Sequence, residues 1–291
     1  MLEELKNENV KFKKMSEEEA IKYLEQNNNY RNICLYKNLF EKYYIDGKYV
    51  NKYIDLDFAY LKDLAIIDFE LRLLLYDIIS DIEHYLKFRI INLTKDKKDI
   101  VKTINGFKNN RKNIKKKNKN ITCSDVDEFL DKLTFGDICD FYSYIIKKYH
   151  FIEEKKYIGI LKEVVALRNR VYHNDKILAN INDEKKNYTV NPIVLEYLKK
   201  CRINKEDRTS KMSNSTIRGL TCVLYMFDVM VSSDEVKLHI KELLNKLLFV
   251  RIVRNKRYYS KNKVLKSVYK YFRRIILTNY KIAIDTHWIL C

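Results

Sequence analysis

The chain has 291 residues, 46% of them hydrophobic and 13% aromatic, which is enough for a sizeable core in one large or two modest domains and too apolar for a disordered protein. A single proline, Pro192, and five glycines argue against turn-rich sandwiches and barrels and against glycine-rich phosphate loops. The net charge of +18 is concentrated: residues 102–119 hold eight bases and no acid, residues 251–291 hold eleven bases and one acid, and the remainder has 38 of each sign. Charge gathered in this way is the footprint of a polyanionic partner, although a lysine-rich run such as 102–119 also suits a solvated loop.

In chain order, Met1–Lys14 is charged throughout, so no secretory signal is expected. Ser16 and Glu19 form a capping box opening a helix toward Leu24. Asn27–Tyr30 interrupts it, and a Tyr-rich amphipathic segment runs to Tyr44 and stops near Gly47. From about Leu56 to Leu93 the pattern is helical, with Leu71, Leu75, Ile78, Ile82 and Leu86 on a buried stripe and Arg72, Tyr76, Glu83 and Lys87 together on a neighbouring polar face. Residues 102–119 follow as a loop or exposed helix end. Helices are expected from Ser124-Asp-Val-Asp127, over Phe135–His150 and from near Ile152, the last with Ile160, Val164, Leu167 and Val171 inward. Asn191-Pro192 starts another. Further helices span about 192–201, 213–231 and from Ser232-Ser-Asp-Glu235 to about Val250. Residues 251–260 are expected to be irregular, and Asn262–Tyr280 is a basic amphipathic helix. No internal repeat occurs. The expectation is an all-α protein with a basic C-terminal appendage.

The six cysteines, Cys34, Cys123, Cys139, Cys201, Cys222 and Cys291, show neither CxxC spacing nor pairing with histidine at metal-ligand spacing, so reduced thiols, no metal and no cofactor are expected. The longest apolar run, Gly219–Val231, contains Asp228 and is too short to span a bilayer, which points to a cytoplasmic protein without membrane contact.

The segment Leu167-Arg168-Asn169-Arg170-Val171-Tyr172-His173-Asn174 carries the chemistry. Asn169 and His173 are four apart and lie roughly opposite the apolar stripe, and Arg168 lies between the stripe and that pair, with a side chain long enough to reach over. RNA can be cut without a metal when its own 2′-hydroxyl attacks the adjacent phosphate. A base must take the hydroxyl proton, a cation must stabilise the phosphorane, and an acid must protonate the leaving 5′-oxygen. Histidine suits the proton transfers and arginine suits the phosphorane, because its fork donates two parallel hydrogen bonds to phosphate oxygens. Asn169 suits orientation of the histidine or the phosphate. One imidazole does not easily act as base and acid at once, which favours a dimer bringing two copies together. Expected RNA contacts are Arg72, Lys87, Lys112, Lys115, Lys116, Lys117, Arg254, Arg257, Arg273 and Arg274. The aromatic residues among the tail's cations suit stacking on single-stranded RNA or packing of the tail onto the body. Glu83 is either a surface partner of Lys87 or a support for Arg168.

Arg168-Asn169 followed by His173 on a late helix resembles the R-N-x-x-x-H motif of HEPN ribonucleases, and the chain is similar to their abortive-infection branch, the Abi-like (AbiD/AbiF) proteins, over about residues 16–250. Asn29-Tyr-Arg31 with Tyr36, the stretch from Gly47 to Asp68-Phe-Glu-Leu-Arg72, Ile82-Glu83 with Lys87 and Arg89, and Leu133-Thr-Phe-Gly136 carry the likeness in the family's order. Lys87 stands where the family usually has Arg, and Lys176 replaces a common Arg three residues past the histidine. The resemblance implies a HEPN-like helical bundle over 1–250 with additional N-terminal helices, followed by a basic helical extension over 251–291. It further implies a homodimeric endoribonuclease that halts growth when triggered, with Arg168, Asn169 and His173 as its catalytic set, and in some relatives a structured noncoding RNA that restrains the enzyme. The competing reading is a non-catalytic RNA-binding or sensor protein on the same fold.

Overall fold

In the computed structural model, residues 1–109, 125–183 and 188–280 are described. Short helices open the chain: α1 (Leu2–Asn7), α2 (Glu17–Gln26) and α3 (Tyr30–Cys34). The Ser16 capping box closes both ways, with the Glu19 N–H on Ser16 Oγ at 3.2 Å and the Ser16 N–H on Glu19 Oε2 at 2.8 Å.

The Tyr-rich segment is not one helix. It breaks into α3, a 3-10 turn (Leu35–Leu39) and an antiparallel hairpin of β1 (Lys42–Ile45) and β2 (Lys48–Tyr53). Asp46 and Gly47 occupy the two-residue loop with φ of 49° and 77°, the left-handed pair that matches strand twist in a tight hairpin. Apart from this ribbon, the described residues bear out the all-α expectation.

The long helix α4 (Phe58–Thr94) is capped by Asp57, whose Oδ1 accepts from the Ala59 N–H while Oδ2 accepts from Lys13 and Lys14 N–H, pinning the N-terminal strand of chain to the helix start. Leu74, Leu75, Ile78, Ile79, Ile82, Leu86 and Ile90 are buried, a stripe wider than periodicity alone gives because helices pack on two sides of α4. The chain continues through α5 (Ile100–Asn109), α6 (Val126–Asp131) and α7 (Phe135–Tyr149), which His150 ends in the left-handed conformation. The motif helix begins later than the sequence suggests. Ile152–Tyr157 is a 3-10 turn, and α8 runs over Ile158–Tyr172.

Next come α9 (Pro192–Lys200) and α10 (Lys205–Ser213), the latter unforeseen although Asn204 caps it by accepting from the Asp207 N–H at 2.7 Å. Then α11 (Ser215–Met230) crosses the interior, buried nearly all round. Gly219 of α11 lets it approach α8 closely, since a Cβ there would sit 3.3 Å from Leu167 Cβ. After α12 (Asp234–Asn245) the chain makes a π-helical turn (Lys246–Arg251) and two short helical turns before α13 (Lys263–Asn279).

Residues 251–280 are not an appendage. Asp63 of α4, its side chain 5% exposed, accepts from Arg251 Nη2 at 2.8 Å, Asn255 Nδ2 at 2.8 Å and Tyr259 Oη at 2.6 Å. Tyr258 stacks on Tyr60 at 4.6 Å, and the Tyr280 hydroxyl donates to the Leu224 carbonyl. The aromatic residues of this segment pack it onto the body. Among the described residues, no helix is long and apolar enough to cross a membrane.

Candidate active site

Helices α4 and α8 lie side by side and antiparallel, because Arg72 meets the carbonyls of Asn174 and Asp175, Tyr76 meets Tyr172, and Arg89 meets Tyr157. The apolar residues Ile160, Val164, Leu167 and Val171 hold α8 against the core, which turns Asn169 and His173 to solvent and leaves Arg168 half-buried at the seam. Position along the helix is fixed at its end. His173 is the C-cap, and Asn174 follows with φ 57°. The Asp175 N–H reaches back to the Arg170 carbonyl at 3.0 Å and the Asn174 N–H to the Val171 carbonyl at 3.1 Å, the paired closure of a Schellman turn with Asn in glycine's usual place.

Arg72 and Asp68 clamp that turn. Arg72 Nη1 donates to Asp68 Oδ2 at 3.0 Å and to the Asp175 carbonyl at 3.2 Å, and the Leu178 N–H donates to Asp68 Oδ1 at 2.6 Å. Asp68 is fully buried. Burial pushes its carboxyl above the usual range, against the pull of the Leu178 N–H and of Arg72. The Lys176 ammonium beside this pair is shifted down by burial and then by Arg72. Arg72 Nη1 is therefore engaged inside the chain, and the side chain is 11% exposed.

Arg168 sits over the Tyr172 ring, the guanidinium carbon 3.7 Å from the centroid, and Tyr172 stacks in turn on Tyr76 at 5.0 Å and 26°. Stacking holds the guanidinium plane but leaves its N–H edge little used. Nη1 reaches Asn169 Oδ1 only at 3.4 Å, and Nε is buried with no partner among the described residues. Glu83 stands near. Burial raises its carboxyl, while the charges of Lys87 and Arg168 pull it down. The anticipated surface pair with Lys87 does not form. Lys87 Nζ instead binds Asp131 Oδ1 at 2.9 Å, which leaves Glu83 beside Arg168. A second, half-buried ion pair sets the other end of α8: Arg89 grips Glu154 through Nε and Nη2, both at 2.6 Å, and the Tyr142 hydroxyl donates to the same carboxylate.

The other cations expected to touch RNA do not gather here. Arg254 and Arg257 are exposed along clefts between the N-terminal segment and residues 246–262, Arg273 sits over the Phe249 ring at 5.9 Å, and Arg274 is exposed on α13. Lys112, Lys115, Lys116 and Lys117 lie outside the described residues. The Tyr76–Tyr172–Arg168 stack was not anticipated. Its only sequence trace is that Tyr76 shares a helical face with Arg72 and Glu83 while Tyr172 follows Arg168 at four residues.

Residues 22–156 match the family described as Abi-like protein. The matched stretch contains Asp68, Arg72, Tyr76, Glu83 and Arg89 and ends two residues before α8, so Arg168, Asn169 and His173 lie beyond it. No curated protein and no solved structure matches the chain.

Proposed function

Over residues 22–156 this chain is an Abi-like protein, a membership that points to abortive infection, and on that premise we propose that it is a metal-independent endoribonuclease. The observation that carries this reading is the end of α8, where Asn169 and His173 are exposed one turn apart and the half-buried Arg168 holds Nη1 3.4 Å from Asn169 Oδ1. That set matches the needs of 2′-hydroxyl attack. His173 moves the proton, Arg168 donates from its terminal guanidinium nitrogens to the phosphorane oxygens, and Asn169 orients the phosphate or the imidazole. Tyr172 fixes the guanidinium plane, and Glu83 is a positioning residue for Arg168. These groups add directional hydrogen bonding at the point where negative charge develops, which is where such donors contribute most.

A single copy offers one His173, and a second proton-transfer group is required for the leaving oxygen. The proposed active form is therefore a homodimer in which two such helix ends face each other. Phe69, Leu73, Tyr76 and Tyr172, exposed by 53%, 53%, 48% and 39% on or next to this face, supply apolar surface for the contact. RNA is the proposed substrate, and restraint by a structured noncoding RNA belongs to the same reading.

The test is cleavage of total cellular RNA in EDTA by the wild type and by His173→Ala, with fragment ends mapped. The expected result is cuts ending in 2′,3′-cyclic phosphate that the substitution abolishes. Intact RNA with wild-type protein verified free of bound RNA would replace the nuclease with a phosphate-binding protein on the same fold.

A further inference from the structure

Helix α13 has five cations, Lys263, Lys266, Lys270, Arg273 and Arg274, and no carboxylate. Its inner face is fixed: Val268, Tyr271, Ile275 and Ile276 are buried, and the Tyr271 hydroxyl lies 3.1 Å from Thr221 Oγ1 of α11. On the opposite face Lys263, Lys266, Lys270 and Arg274 are all exposed. At 100° per residue they fall within about 80° of one another, and at 1.5 Å per residue they form a straight stripe about 16 Å long. They border a cavity of about 360 Å³ between α13 and the start of α10.

Neutralisation of this stripe within the fold is slight. The ion pairs of residues 251–280 run through Arg251 and Lys261, and none involves α13 among the described residues. Lys266 Nζ reaches the Ser260 carbonyl at 3.0 Å, and Asp207 is the one acid bordering the cavity, facing four cations and bonded to Asn204 Nδ2 at 3.0 Å. Cations so aligned repel one another and hold counterions, which a polyanion releases on binding.

The stripe is remote from His173. Helix α8 packs on α11 at Gly219 and α13 packs at Thr221, two positions apart and therefore on opposite sides of that helix. The outer face of α13 also exposes no aromatic ring, since Tyr271 is buried and Tyr269 and Phe272 are half-buried. Single-strand binding relies on exposed rings for base stacking, whereas a paired stem is held through its backbone phosphates. We propose that Lys263, Lys266, Lys270 and Arg274 form a second, sequence-independent site that binds the phosphate backbone of a paired RNA stem. The phosphate recognition stands without the nuclease, and only the choice of RNA over DNA rests on that reading.

The test measures binding of a fluorescent RNA stem-loop by the His173→Ala protein, which leaves the RNA whole, with and without Lys263→Gln, Lys266→Gln, Lys270→Gln and Arg274→Gln. Expected is at least a tenfold loss of affinity at about 50 mM salt and a log–log salt slope shallower by about 3. Equal affinity and equal slope would overturn the proposal, as would tighter binding of the same stem made of DNA. A second measurement uses the protein without the glutamine substitutions: amine-reactive labelling of Lys263, Lys266 and Lys270 is suppressed by the stem-loop. Labelling unchanged by RNA, or blocked by phosphatidylserine vesicles and not by RNA, would equally overturn it.

Discussion

At the scale of single residues, some groups act and others hold them in place. His173 is exposed and tied to the fold only through its backbone, so His173→Ala is expected to abolish cleavage while changing stability by no more than about 0.5 kcal/mol in thermal melts. Arg168→Lys keeps the charge but loses the planar fork and the stack on Tyr172, so cleavage is expected to fall at least about a hundredfold with RNA affinity retained. Near-wild-type cleavage by the lysine variant would remove Arg168 from the phosphorane. Glu83 contributes to the pH dependence of stability. Because burial raises its carboxyl, the fold favours the protonated form, and that contribution is present below the unfolded value and lost as pH rises through the folded one. Melts of wild type and Glu83→Gln between about pH 4 and 7 should show the wild type losing stability relative to the variant as pH rises. A constant difference would mean that Glu83 ionises there without penalty.

At the scale of elements, the turn after α8 is placed by α4. Arg72→Ala would leave the buried Asp68 carboxyl without its cation, and breaking such a pair costs about 3–5 kcal/mol. Asp68→Asn keeps the volume and loses the charge, so it should cost less. Both should slow cleavage by loosening the His173 turn, and a variant with normal melting and normal cleavage would contradict the clamp. Much of this level was legible in the sequence. The span of α4, the inward stripe of α8, the outward placement of Asn169 and His173 and the Ser16 capping box all follow from periodicity and capping chemistry, which are local. The hairpin was written as Asp46-Gly47 but was masked by tyrosines that also suit an amphipathic helix. The late start of α8 was hidden because Ile152–Tyr157 has helical composition while the Arg89–Glu154 pair draws it into a tighter turn. Contacts such as Arg168 on Tyr172 on Tyr76 join two helices far apart in sequence, and no spacing within one segment encodes them.

At the scale of the whole molecule, the C-terminal segment completes the body. Net charge marks residues 251–291 as distinct, and the sequence alone presents them as an extension, yet Asp63 gathers three donors from this segment and Tyr271 and Tyr280 pack on α11. Charge describes the outer face of α13 and hydrophobic periodicity its inner one, so one segment both closes the core and bears a cationic surface. A chain ending at residue 250 is expected to lose cooperative melting, since it strips the cover from Asp63 and α11. A truncated protein that melts like the full chain would refute this. The central claim is that the α8 terminus cuts RNA through the substrate's own 2′-hydroxyl. It is tested most directly with an oligonucleotide spanning a mapped cut, prepared as all-RNA and with one 2′-deoxy sugar on the 5′ side of that bond. The account predicts that the single deoxy sugar abolishes cleavage at that bond, and cleavage at an undiminished rate would contradict it.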